Sequence, residues 1–263
     1  MNAVRIWAAL VGMSIRGQMA YRASFLMLAA GQMGAIGLEF GGLALLARRY
    51  GDLPGWPLPA VALLYGMSQM AFAISEAALR GFDQFASLVR SGDFDRFLVR
   101  PCSPGLLVAG QTFELRCIGR AMAGLAAIAW GAPGSGIDWN PAACAMVACA
   151  VATGAMLFGA VLVLQATLCF WTVESLEIAN AVTYGGVTAT SLPLVLYPRW
   201  LRAAFTWGLP LILVNTVPID VLMERGGVPS WLPWIAPCVG LVFLAGAFQA
   251  FALGTRRYAS TGG

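Results

Sequence analysis

Six apolar runs, separated by short clusters of charge, proline and glycine, organise the chain: residues 23–47, 60–79, 106–130, 141–171, 178–196 and 231–253. Each reaches or approaches the roughly 20 residues needed to cross a bilayer as a helix. The pattern predicts an all-α integral membrane protein with six transmembrane helices in a single domain spanning residues 1–263. Residues 141–171 exceed the required length, so that span is expected to tilt or protrude.

The flanking segments have different patterns. In residues 1–22, Arg5, Gly12 and Arg16 fall within about 20° of one line at 100° per residue, with Trp7 and Leu10 opposite. This predicts an interfacial helix lying on the membrane, apolar side down; the alternative is a first span that starts early. In residues 197–230, Pro198, Pro210, Pro218 and Pro229 interrupt an apolar stretch, which suits half-inserted or extracytoplasmic helices rather than a plain span. Span one carries Gly31, Gly34, Gly37 and Gly41 at three- and four-residue spacings, which permit close helix contact. Residues 172–177 read as a short acidic connection.

Composition narrows the function. The chain is 59% hydrophobic and only 11% charged, against roughly 25% charged in soluble domains. All 16 basic residues are Arg, and there is no Lys or His. A P-loop, a Schiff base, a Ser-His-Asp triad and a His-based zinc site are therefore all excluded. No cofactor is expected in this chain, and any nucleotide hydrolysis must occur in another. The six Cys form no CxxC pair. A net charge of +4 reads as Arg on the inner face, with no nucleic-acid partner expected. With six crossings, both termini and residues 80–104 share the side holding most of the Arg. The positive-inside rule makes that side the cytoplasm.

Two sets of residues carry candidate chemistry. In residues 80–104, a helix from Phe82 to Ser91 would place Phe82, Phe85, Leu88 and Val89 on one arc of about 120°. Asp83, Gln84, Ser87, Arg90 and Ser91 face the other way. Such a helix can lie on lipid or dock into a partner's groove. The second set lies within the spans. Glu39, near the middle of span one, is costly there unless paired, protonated or facing water. It is a candidate for lining a pathway and attracting a cation, or for an internal hydrogen bond to Gln32 or Gln69. Glu76 has Arg80 one turn later, a favourable i,i+4 pair. With Gln69, these acids make up the candidate pathway set.

The run SGDFDRFLVRP, residues 91–101, resembles the segment after the second span in ABC type-2 transporter permeases, in particular small bacterial six-span ones. Arg90, Gly92, Asp93, Asp95, Leu98, Arg100 and Pro101 match its pattern. YRASFL at residues 21–26, FWTVES at residues 170–175 and the stretch from YPRWLR to LPLILVNTVP within residues 197–218 are similar in order. The resemblance implies a permease half of an ATP-driven exporter in a bacterial inner membrane. It implies two ABC ATPase subunits, which bind ATP and Mg, and a second permease chain, identical or related. It also implies that Phe82, Asp83, Phe85, Ser87, Leu88, Val89, Arg90, Gly92, Asp93 and Asp95 contact the ATPase as a coupling helix. Two other classes remain open: an ion-coupled secondary transporter and a structural membrane subunit. No internal repeat supports the former.

Overall fold

The computed structural model describes residues 3–53, 55–171, 176–214 and 216–258. The architecture is all-α, with no strand among the described residues. The amphipathic segment is α1 (Ala3–Met19), and span one is α2 (Arg22–Tyr50). Span two is α3 (Leu58–Asp83), followed by short helices α4 (Phe85–Arg90) and α5 (Asp95–Leu98). Then come α6 (Pro104–Gln111), α7 (Arg116–Gly134), α8 (Pro141–Leu168) and α9 (Leu176–Thr190). The proline-rich stretch forms α10 (Arg199–Ala203), a π-helical turn at Ala204–Gly208 and α11 (Thr216–Leu222); α12 (Leu232–Thr255) closes the order.

Prolines set several helix starts. Pro59, Pro104, Pro141 and Pro233 lie in the first turns of α3, α6, α8 and α12. There the fixed φ suits the helix and the missing N–H would be unpaired anyway. Asn140 caps α8, its side chain accepting from the Ala143 amide at 2.8 Å.

Among the described residues, four helices rather than the expected six are long and apolar enough to cross a membrane: α2, α3 with its continuation, α8 and α12. The bent pair Arg199–Gly208 and Leu211–Leu222, turned by 86°, could supply a fifth crossing. The run expected as span three is divided instead: α6 ends at Gln111 and α7 begins at Arg116. The break contains Glu114, the first charge of that run. Residues 172–175 of the acidic connection and of the FWTVES stretch lie outside the described residues.

Helix α3 is the central element, packed between α7 and α8, with α12 on the far side of α8. Glycines permit the α3–α7 crossing. A Cβ on Gly66 would stand 2.5 Å from the Gly124 carbonyl oxygen, and one on Gly131 would stand 2.5 Å from the Pro59 oxygen. The span-one glycines play no such part within the chain: a Cβ on Gly31, Gly34, Gly37 or Gly41 would meet nothing within 4 Å. Helix α2 buries Ile36 alone and leaves Leu26, Met27, Leu38 and Leu45 exposed, as a lipid-facing or subunit-facing helix would.

Helix α1 holds the broken span together. Ser14 and Gln18 lie one turn apart, and both reach the α6–α7 break. Ser14 Oγ donates to the Phe113 carbonyl at 3.1 Å and accepts from its amide at 3.1 Å. Gln18 donates to the same carbonyl and accepts from the Leu115 amide at 3.0 Å. Backbone groups freed by the break are thereby satisfied. The apolar face of α1 turns toward protein: Trp7 and Leu10 pack over α6 at Gly110, where an added Cβ would lie 3.2 Å from both.

Candidate functional site

The helix expected over Phe82–Ser91 is divided at Gln84 into the end of α3 and α4, and Asp83, expected on the outer face, turns inward to Arg80. The apolar side chains share one face, but that face is already occupied. Phe82, Phe85, Leu88, Val89 and Phe94 are buried. They join Phe170 at the end of α8, Phe251 on α12 and Tyr258 just beyond it. Phe85 lies 4.9 Å from Phe94, 5.1 Å from Phe170 and 5.2 Å from Phe251, ring centroid to centroid. Phe94 meets Tyr258 at 5.1 Å. Edge-to-face packing of this kind adds about 0.5–1.5 kcal/mol per pair beyond burial. Phe82, Phe85, Leu88 and Val89 therefore anchor the helix to its own chain.

What α4 and the turn after it present outward is polar, whereas Leu98 and Val99 beyond them are exposed apolar side chains. Gln84, Ser87, Arg90 and Ser91 are exposed. Ser91 Oγ donates to Asp93 Oδ2 at 2.8 Å, and Asp93 pairs with Arg96 at 3.5 Å. Gly92 adopts φ +72°, which turns the chain out of α4 toward α5. Asp95 opens α5, where a carboxylate suits the helix N-terminus.

From this loop a chain of polar contacts enters the helix core. Gln84 donates to Glu114 at 3.2 Å. Glu114 lies 3.2 Å from Arg80 and 2.5 Å from Arg116. Arg80 contacts Asp83 at 3.1 Å and Glu76 at 2.9 Å, and donates to the Tyr184 hydroxyl of α9 at 3.2 Å. The other oxygen of Glu76 meets Arg120 Nε at 3.0 Å. Arg120 in turn donates to Gln69 at 2.8 Å and stacks over Phe72 at 4.8 Å. Three guanidiniums, Arg80, Arg116 and Arg120, face three carboxylates, Glu76, Asp83 and Glu114, so the formal charges cancel. That balance is what allows Glu76, 3% exposed, to remain inside an apolar bundle.

The i,i+4 pairing of Glu76 with Arg80 was legible from spacing. Its continuation through Arg120 to Gln69 was not, because those partners come from α7. Tyr184 carried no sequence signal at all. The candidate pathway set is split: Glu76 and Gln69 belong to this network, whereas Glu39 lies apart on α2. Its partner is neither Gln32 nor Gln69 but Tyr65, whose hydroxyl donates to Glu39 at 3.1 Å and lies 3.0 Å from the Ile36 carbonyl. Glu39 and Tyr65 line a cavity of about 300 Å³ with Thr188, Ser191 and Leu192.

Among the described residues no group of His, Cys, Asp and Glu is placed to hold a metal. Long apolar helices packed around a buried ionic chain define a multi-pass membrane protein. The chain belongs to the ABC-2 family of transporter proteins, whose family model matches residues 33–262. It is thus a multi-pass membrane permease of the ABC transporter class. No curated protein and no solved structure matches it.

Proposed function

We propose that this chain is the membrane subunit of an ATP-driven exporter. It supplies half of the translocation pathway in a bacterial inner membrane, with both termini cytoplasmic. A second permease chain supplies the other half. Two separate ATPase subunits bind ATP and Mg and dock on residues 80–104. The observation that carries this reading is the loop's division of labour. Its apolar face is locked into the aromatic cluster, while Ser87, Arg90, Ser91, Gly92 and Asp93 offer a rigid polar surface for a partner.

ATP-driven closure of the ATPases would displace α4 and α5 together. The contacts from Gln84 through Glu114, Arg80 and Glu76 to Arg120 and Gln69 would carry that displacement into α3 and α7. Catalysis remains in the partner, and this chain contributes transmission and path through two alternating states. Glu39 and Tyr65 face the membrane-level cavity beside α9, where a cationic group would find a carboxylate.

Co-purification with the cognate ATPase tests the assignment. Wild-type chain retains the ATPase, whereas a Ser87→Glu, Arg90→Glu double variant, altered only on exposed positions, loses it while eluting at an unchanged size. Full retention by that variant removes residues 80–104 as the docking surface. Active transport by permease purified without any ATPase would favour an ion-coupled carrier.

A further inference from the structure

A pocket of about 280 Å³ lies where α1 turns into α2, against the start of α7. Gln18, Tyr21, Ser24 and Arg116 form its polar wall, and Phe25 and Leu28 its apolar wall. We infer that this pocket binds the phosphate headgroup of an anionic phospholipid, whose acyl chains continue along the exposed apolar face of α2.

Four observations converge. First, the pocket sits in the first two turns of a helix that spans a membrane by length and composition, and so at headgroup depth. Second, its walls are graded. Hydroxyl, amide and guanidinium groups give way to Phe25 and Leu28, then to the exposed Leu26 and Met27 on the same helix. A soluble anion needs no such apolar continuation.

Third, the charge at the rim is positive. Arg116 is committed to Glu114 through Nε and to Glu76 through Nη2, at 2.5 and 3.7 Å, yet remains about one-third exposed at the pocket. The ionic network it belongs to sums to zero, so the exposed Arg16 and Arg22, next in sequence to the lining residues Gly17 and Tyr21, give the α1–α2 turn a positive charge. Fourth, the wall is pre-organised. Gln18 is fixed by the Phe113 and Leu115 backbone, and α1 is pinned to the break by Ser14. A guanidinium beside hydroxyl and amide donors is a fitting cradle for a phosphodiester oxygen.

The inference is independent of ATPase docking, and so is its test. The full chain is purified and reconstituted in nanodiscs of phosphatidylethanolamine with or without phosphatidylglycerol. Lipid retained after detergent washing is then counted by native mass spectrometry. Wild-type chain is expected to keep one phosphatidylglycerol in preference to phosphatidylethanolamine. Arg116→Gln is expected to weaken retention about tenfold, the loss of one charge-assisted hydrogen bond.

Because Arg116 also serves the ionic network, Gly17→Leu provides a second variant. Gly17 lines the pocket, and a Cβ there meets nothing within 4 Å, so there is room for a larger side chain, and phosphatidylglycerol retention should again fall. Equal retention of both lipids by wild-type chain, or undiminished retention in Gly17→Leu, overturns the site. Displacement of the lipid by inorganic phosphate or glycerol 3-phosphate assigns the pocket to a soluble anion and overturns the lipid reading.

Discussion

The Glu76–Arg120 contact offers a quantitative test of the polar chain. Glu76→Leu leaves Arg120, whose side chain is 12% exposed, without the one carboxylate that pairs with it among the described residues. Gln69 and the face of Phe72 remain as its neighbours. Arg80 loses less, because Asp83 and Glu114 still flank it. Breaking a buried pair by removing one partner costs about 3–5 kcal/mol, and the surviving Gln69 contact places this case near the lower end. For a chain of this size, ~3 kcal/mol corresponds to a drop of about 6–12 °C in melting temperature.

Arg120→Leu should cost a similar amount: Glu76 retains Arg80, but Gln69 loses its donor. The double variant removes both charges and fills the space with apolar groups, so it should recover at least ~2 kcal/mol relative to the sum of the singles. Thermal denaturation in detergent, read by intrinsic Trp fluorescence, measures all four corners of the cycle. Strictly additive losses would show that the two residues are not energetically coupled and would refute the linkage argued here.

Other expectations follow from the packing. Phe85→Ala should destabilise the chain by about 3–5 kcal/mol, and limited proteolysis within residues 91–104 should accelerate; an unchanged cleavage rate would mean that the aromatic cluster does not hold the loop. Gly124→Val drives a branched side chain into the α3 backbone at Gly66 and Met70 and should abolish a monodisperse elution peak, a result that ordinary elution would contradict. Glu39→Gln should reduce transport of a cationic substrate at normal expression, and unchanged efflux would dismiss Glu39 as a pathway residue.

Much of the fold was readable because the bilayer imposes long apolar runs and lets few charges hide. The limits appear at particular residues. The period of Phe82, Phe85, Leu88 and Val89 placed these side chains on one face, yet the same period serves lipid, a partner or the protein core. Their actual neighbours, Phe170 and Phe251, stand more than 80 residues away in sequence. The glycine spacing in span one permitted close contact without compelling it; the crossing formed at Gly66, Gly124 and Gly131, where the opposing backbone has a matching recess. Glu114, Arg116 and Arg120 marked the third run as unusual. That the helix breaks just before Arg116 depends on Ser14 and Gln18, about 100 residues earlier, and no local pattern could reveal it.

The contact between Phe94 and Tyr258 ties the tip of the loop to the far end of the polypeptide. Any displacement of α4 should therefore be felt at the tail of α12, and on the docking proposed above a spin label or fluorophore placed at Arg257 should report the nucleotide state of a bound ATPase.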